Sequence, residues 1–307
     1  MILIILLYAF FASSFLIGKI LLTNYTTPIF LAGSRMFIAG LILLMYQYFY
    51  AHTSFRFQKK HIWYYAQIMF FGIYITYILR LWALDSMSAA KACFFSNVSP
   101  FLSSLYSYFF FNETMSRKQW AGLVIGFFGL IPILISSSPA EQCLKEFTFF
   151  SWHELALLAS FATHSYSWIV VRKLVRDKSY SPAMVNGITM FAGGLLALIS
   201  SFFVEGLFPV TNVPHFLGWL LLVILVSNII CHNLYGSLLR YYSATFLSFA
   251  GFMGPLFAAF YGWVFLNEHI TWHFYVSTLI VFCGLYLFHQ DELVYIKSPK
   301  TQVLLPK

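Results

Sequence analysis

Charge is what this chain has least of. Charged residues make up 9% of its 307 residues, against about 25% in a soluble globular domain, so a surface solvated by water on all sides is excluded. Acidic side chains are scarcest, ten against eighteen Lys and Arg. All ten fall in loops, in the tail or near the ends of apolar runs, which leaves no carboxylate near a membrane midplane, where proton relays commonly place one. Cysteine is nearly absent. Cys93, Cys231 and Cys283 lie in apolar segments and Cys143 stands alone in a loop, which excludes a disulfide framework and a CxxC metal pair. Enzyme and pump motifs are missing too. His153-Glu154 opens an HExxH but Leu157 stands where the second His belongs, and Gly18-Lys19 lacks the rest of a phosphate loop. No catalytic residue, metal or cofactor is expected.

What is present is apolar. Hydrophobic residues make up 60% of the chain, and about 20 of them at 1.5 Å each cross a hydrocarbon core of ~30 Å. Segments of that length run near 2–22, 28–50, 62–84, 87–111, 117–136, 152–171, 182–204, 215–236, 242–266 and 270–289. The expected fold is an all-α membrane protein of ten transmembrane helices. Met1-Ile2-Leu3 opens on an apolar run with no basic stretch before it, and reads as the start of a first span rather than a signal peptide. The net charge of +8 sits in short loops, which suits a lipid bilayer as partner and not nucleic acid. With the N-terminus inside, thirteen of the eighteen Lys and Arg, from Arg56 to Lys307, fall on the inner side. Inner loops retain such residues, so both termini are expected in the cytoplasm, with the inner membrane as the location.

The chain also contains its own duplicate. Leu81–Leu130 recurs without a gap as Gly236–Leu285, an offset of 155 (236 minus 81), with thirteen identities in fifty positions that include Pro100 with Pro255 and Asn112-Glu113 with Asn267-Glu268. At an offset of 154, Pro28, Gly33, Met36-Phe37 and Gly40-Leu41 recur as Pro182, Gly187, Met190-Phe191 and Gly194-Leu195. Five spans per copy reverse the direction of the second copy. Two inverted five-helix repeats follow, 1–136 and 152–289, with a connecting loop at 137–151 and a tail at 290–307. Inverted repeats typify secondary transporters, whose substrate site lies at the repeat interface.

Several residues inside the spans call for a role. Pro100 and Pro255 remove backbone donors in the fourth and ninth spans, and with Asn97, Ser99 and Gly254 nearby they suggest local unwinding and kinks that reach the substrate. Glu113 and Glu268 end those spans as gate candidates. Ser160, His164 and Trp168 form one polar stripe at helical spacing, and Asn228, His232 and Tyr235 form another; both suit a lined cavity. Charge within a span defaults to a functional hypothesis. Lys91 is assigned to the substrate, whereas Arg35 and Arg80 are assigned to structure, with Asp85 and Glu154 as possible anionic partners. Gly122 and Gly126 form a GxxxG that packs within the chain or against a second copy, leaving monomer and homodimer open.

The stretch Phe111-Asn112-Glu113 through Trp120-Ala121-Gly122 to Gly129, with its echo Leu266-Asn267-Glu268 to Gly284, resembles the EamA-type drug/metabolite transporters over 2–136 and 152–289. The resemblance implies ten helices as two inverted repeats, a Pro and a terminal Glu in each fourth helix, and export of amino acids or related metabolites. Arg35 is similar to an Arg common in that family's second helix. Some members in host-dependent bacteria exchange S-adenosylmethionine for its demethylated product, S-adenosylhomocysteine, and abundant Phe, Tyr and Ile hint at such a genome. That exchange is the leading specific expectation; amino-acid export and an intramembrane enzyme or sensor are the alternatives.

Overall fold

The computed structural model describes residues 2–50, 58–86, 92, 95–112, 114–129, 152–254, 256, 257, 260, 261 and 272–297. Lys91, Glu113, Cys143, Pro255 and Glu268 lie outside the described residues, as does the side chain of Asn97. Where described, the chain is helical, with one isolated β-bridge between Thr26 and Val210. A helix satisfies its own backbone N–H and C=O groups, the only open-ended way to cross hydrocarbon.

Helix α1 spans Ile2–Asn24 and α2 Pro28–Tyr50. Helix α3 runs over Lys59–Ser86, longer at both ends than expected, and contains a π-helical stretch at Ile68–Ile75. Helix α4 is Ser99–Phe111, preceded by a 3-10 turn at Ser96–Val98, and α5 is Arg117–Phe128. Helix α6 is Trp152–Arg172, α7 Pro182–Val204, and α8 Val213–Leu238 with a second π-helical stretch at Ile224–Cys231. Helix α9 is Ala244–Ala250 and α10 Trp272–Lys297, which carries regular helix into the expected tail. Among the described residues five helices, α1, α2, α3, α7 and α8, are long and apolar enough to cross a membrane.

Side-chain chemistry explains several ends. Ser116 accepts from the Gln119 N–H while the Gln119 side chain accepts from the Ser116 N–H, a reciprocal cap that starts α5. Asn112 closes α4 in the left-handed region, at φ 52°, its N–H donating to the Tyr108 carbonyl. Asn tolerates that conformation better than other side chains. The first half of the recurring Asn-Glu pair is therefore a helix stop. Pro100 falls in the first turn of α4, where a missing N–H leaves no helical bond unmade. The expected kink and unwinding take the form of the 3-10 turn at Ser96–Val98 just before it.

Glycine sets how closely the helices pack. A Cβ at Gly40 would meet the Phe191 backbone, one at Gly194 the Phe37 backbone, and one at Gly33 Leu198. As one residue number rises the other falls, so α2 and α7 run antiparallel in near-backbone contact. Helices α5 and α10 repeat the device, with Gly122 against Gly284 and Phe288, and Gly129 against Ile280. The GxxxG of α5 is thus occupied by α10 of the same chain and lends nothing to a dimer. The packing pairs α2 with α7, α5 with α10 and α4 with α9, while α1 meets α8 as α6 meets α3.

Candidate functional site

Where these pairs meet, a cavity opens. It holds about 1000 Å³ of space, some of it open to the outside. Its wall draws on α1 (Tyr8, Phe11, Phe15), α2 (Arg35), α3 (Tyr77, Arg80, Leu84), α6 (Phe161, His164, Trp168) and α8 (Ser227, Tyr235), with Ser96, Ser99, Gly251 and Gly254 beside α4 and α9. Three of these combine at the 155-residue offset: Arg80 with Tyr235, Ser96 with Gly251, and Ser99 with Gly254. The cavity is therefore built by equivalent positions of both copies. No Asp or Glu is among the described residues of its wall.

Behind one side lies a buried network. Arg35 donates from Nε to Asn228 Oδ1 and from Nη2 to Ser227 Oγ, each at 2.6 Å, which ties α2 to the π-helical stretch of α8. His232 Nδ1 stands 2.7 Å from the Ser227 carbonyl, which can only accept, so the ring proton sits on Nδ1. Its Nε2 then accepts from the Tyr77 hydroxyl at 2.8 Å. Tyr77 and His232 are themselves 155 residues apart. The π-helical stretch brings these groups together, because its i to i+5 bonding has the His232 N–H donate to the Ser227 carbonyl and so places the imidazole within reach of the same oxygen.

Aromatic rings cover the other side. Trp168 and Tyr235 are 4.2 Å apart between centroids, His232 is 5.7 Å from Trp168, and Phe11 is 5.7 Å from His232. Trp168 Nε1 donates to His164 Nε2 at 2.9 Å, so the stripe of α6 is held by its own helix. The Tyr8 hydroxyl donates to the Leu247 carbonyl, and Ser103 Oγ and Ser248 Oγ are 2.7 Å apart between α4 and α9.

The expected site residues divide accordingly. His164, Trp168 and Tyr235 line the cavity, while Asn228 and His232 are fully buried and hold Arg35 and Tyr77 in place. Pro100 is buried at the start of α4, next to the lining residue Ser99. Arg35 and Arg80, assigned above to structure, both reach the cavity wall. The guanidinium of Arg35 lies 5.3 Å from the Tyr77 ring centroid and that of Arg80 5.5 Å from it, with Phe161 4.8 Å from Arg80. Nε and Nη2 of Arg80 are shut from solvent and have no hydrogen-bond partner. Sequence reasoning missed Tyr77, Tyr8, Phe11 and Ser227. For Tyr77 the signal existed, since the offset of 155 carries His232 onto it.

Comparison with known proteins adds the family. The model of the EamA-like transporter family matches residues 1–135 and 151–289. The chain is 32% identical over 298 residues to the S-adenosylmethionine/S-adenosylhomocysteine transporter of Chlamydia muridarum (strain MoPn / Nigg), covering 94% of this chain and 91% of that one. Its counterpart in Chlamydia trachomatis serovar D is 33% identical over 294 residues, with 94% and 89% covered. The uncharacterized transporter YoaV of Bacillus subtilis is 25% identical over 264 residues, covering 85% and 86%. A protein solved by crystallography shares the fold, with a TM-score of 0.73 at 16% identity over 96% of this chain and 98% of its own.

Proposed function

Since the chain belongs to the EamA-like transporter family, and is thus a multi-pass membrane protein that moves a small molecule, we propose that it exchanges S-adenosylmethionine for S-adenosylhomocysteine by alternating access. The observation that carries the substrate is the identity of 32–33% to transporters of that name, spread over 94% of the chain. The cavity suits the chemistry. Both compounds carry a carboxylate, for which a guanidinium is a fitting partner, and an adenine, for which Trp168 and Tyr235 offer faces. The sulfonium that distinguishes them also favours aromatic faces.

The transport cycle rests on a proposed architecture of ten spans in two inverted repeats, 1–136 and 152–289, in the inner membrane with both termini cytoplasmic. Antiparallel pairing of α2 with α7 and of α5 with α10 supports it, because an axis in the membrane plane relates such pairs. One copy then rocks against the other around the cavity. Exchange needs no coupling ion, and the described cavity wall has no carboxylate to carry a proton. Lys91 stays a second candidate for substrate contact, and Glu113 and Glu268 for gating.

The test is uptake by a heterologous host that lacks its own carrier. Cells that make the protein should accumulate labelled S-adenosylmethionine, and excess S-adenosylhomocysteine outside should compete. Cells that ignore both compounds but export labelled amino acids would replace this reading with amino-acid export.

A further inference from the structure

Arg35 and Arg80 stand on either side of one decision. Both guanidinium groups lie near the ring of Tyr77 and both line the cavity. Arg35 is spoken for, with Nε and Nη2 donating to Asn228 and Ser227. Arg80 is not. Its Nε and Nη2 are shut from solvent and reach no acceptor, and the contacts it makes are with the rings of Phe161 and Tyr77. Those rings hold the plane of the guanidinium and leave its hydrogen-bonding edge unused. Asp85, five residues on, is exposed at the end of α3, where Lys19 holds the Leu84 and Asp85 carbonyls at 3.0 and 2.8 Å.

Guanidinium donors shut from solvent with no acceptor inside a membrane protein are costly to keep. An anion entering the cavity removes that penalty. A guanidinium offers two parallel N–H donors that match a carboxylate, and rotation about the side chain's own bonds presents them to the space Arg80 lines. The repeat sharpens the point, because the position equivalent to Arg80 is Tyr235, which packs on Trp168. One copy brings a cation and the other an aromatic face to the same cavity.

We propose that Arg80 binds the carboxylate of the transported molecule and so orients it, anionic end toward α3 and planar end toward Trp168 and Tyr235. This rests on the exchange reading for the choice of ligand, and the test separates the two. Purified protein is titrated with S-adenosylhomocysteine and with its decarboxylated form, which keeps the adenosyl group and the amine. Wild type should favour the carboxylate form by about 10- to 100-fold, the range of a charge-assisted hydrogen-bonded pair. In Arg80→Gln that preference should fall to within about threefold, with affinity for the decarboxylated form kept or improved. Arg80→Lys keeps the charge without the fork and should fall between, which gives a second variant should the first not reach the membrane. A variant that binds and retains the wild-type preference overturns the assignment. If wild type binds neither adenosyl compound, the exchange reading fails instead, and the same comparison with an amino acid and its amine still tests Arg80.

Discussion

Helices α3 and α8 occupy equivalent places in the two copies, and each carries an eight-residue π-helical stretch, Ile68–Ile75 and Ile224–Cys231. Their backbones agree and their cavity residues do not. Where α8 has His232 and Tyr235, α3 has Tyr77 and Arg80. On the proposed architecture, duplication gives a scaffold with two-fold character, but a molecule with an anionic end and an aromatic end has none. On that proposal recognition belongs where the copies diverged, and packing where they stayed alike.

That contrast breaks most readily at the shared glycines. Replacing Gly40 or Gly194 by Leu places a side chain on the partner helix backbone, an overpacking of about 3 kcal/mol or more. Folded protein recovered from membranes should drop at least roughly tenfold, whereas Gly218→Leu, with nothing within 4 Å, should leave yield unchanged. Equal yields on size-exclusion profiles would remove the claim that near-backbone contact holds α2 on α7. Next is Arg35 against its equivalent, Thr189. Arg35→Met strands Ser227 and Asn228 in the interior and should cost about 2–4 kcal/mol with loss of transport. Thr189→Val gives up a bond to its own helix at Val185 and should cost under about 1 kcal/mol. Thermal unfolding of the two variants in detergent decides, and similar midpoints would count against the network.

Tyr77→Phe comes third, removing the hydroxyl that His232 accepts. The loss should be near 1 kcal/mol, read as roughly a fivefold fall in uptake at unchanged abundance. Smallest is Lys19→Met, which gives up bonds to the last carbonyls of α3. It lies at the rim of the bundle and should stay within about 1 kcal/mol, with uptake unchanged within about twofold. A transport defect there would extend the site beyond the cavity described.

How much of this the sequence foretold follows from which forces leave a trace in residue order. Helices α2 and α7 begin at Pro28 and Pro182 as expected, because proline marks a first turn and twenty apolar residues mark a span. The stripes of α6 and α8 were legible because polar residues in a lipid-bound helix must face protein or a cavity. Neither π-helical stretch was legible, since Ile68–Ile75 reads as one more apolar run and the widened turn changes bonding without changing composition. At Pro100 unwinding is legible from the proline and its polar neighbours, whereas its form as a 3-10 turn ahead of the helix leaves no pattern of its own. The structural reading of Arg80 rests on snorkelling or on pairing with Asp85 or Glu154, and residue order does not tell what surrounds a guanidinium. The offset that matched Pro100 to Pro255 also carries Tyr235 onto Arg80 and His232 onto Tyr77, so the cavity side of α3 was present in the repeat for anyone who mapped the polar stripe through it.

The central claim is that the cavity carries two related metabolites in opposite directions. Proteoliposomes loaded with unlabelled S-adenosylhomocysteine and offered labelled S-adenosylmethionine test it most directly. Uptake should rise about tenfold or more over empty vesicles, as obligatory alternation of a loaded carrier requires, with little response to an imposed pH gradient. Uptake that depends on the gradient and is indifferent to the internal compound would contradict the account.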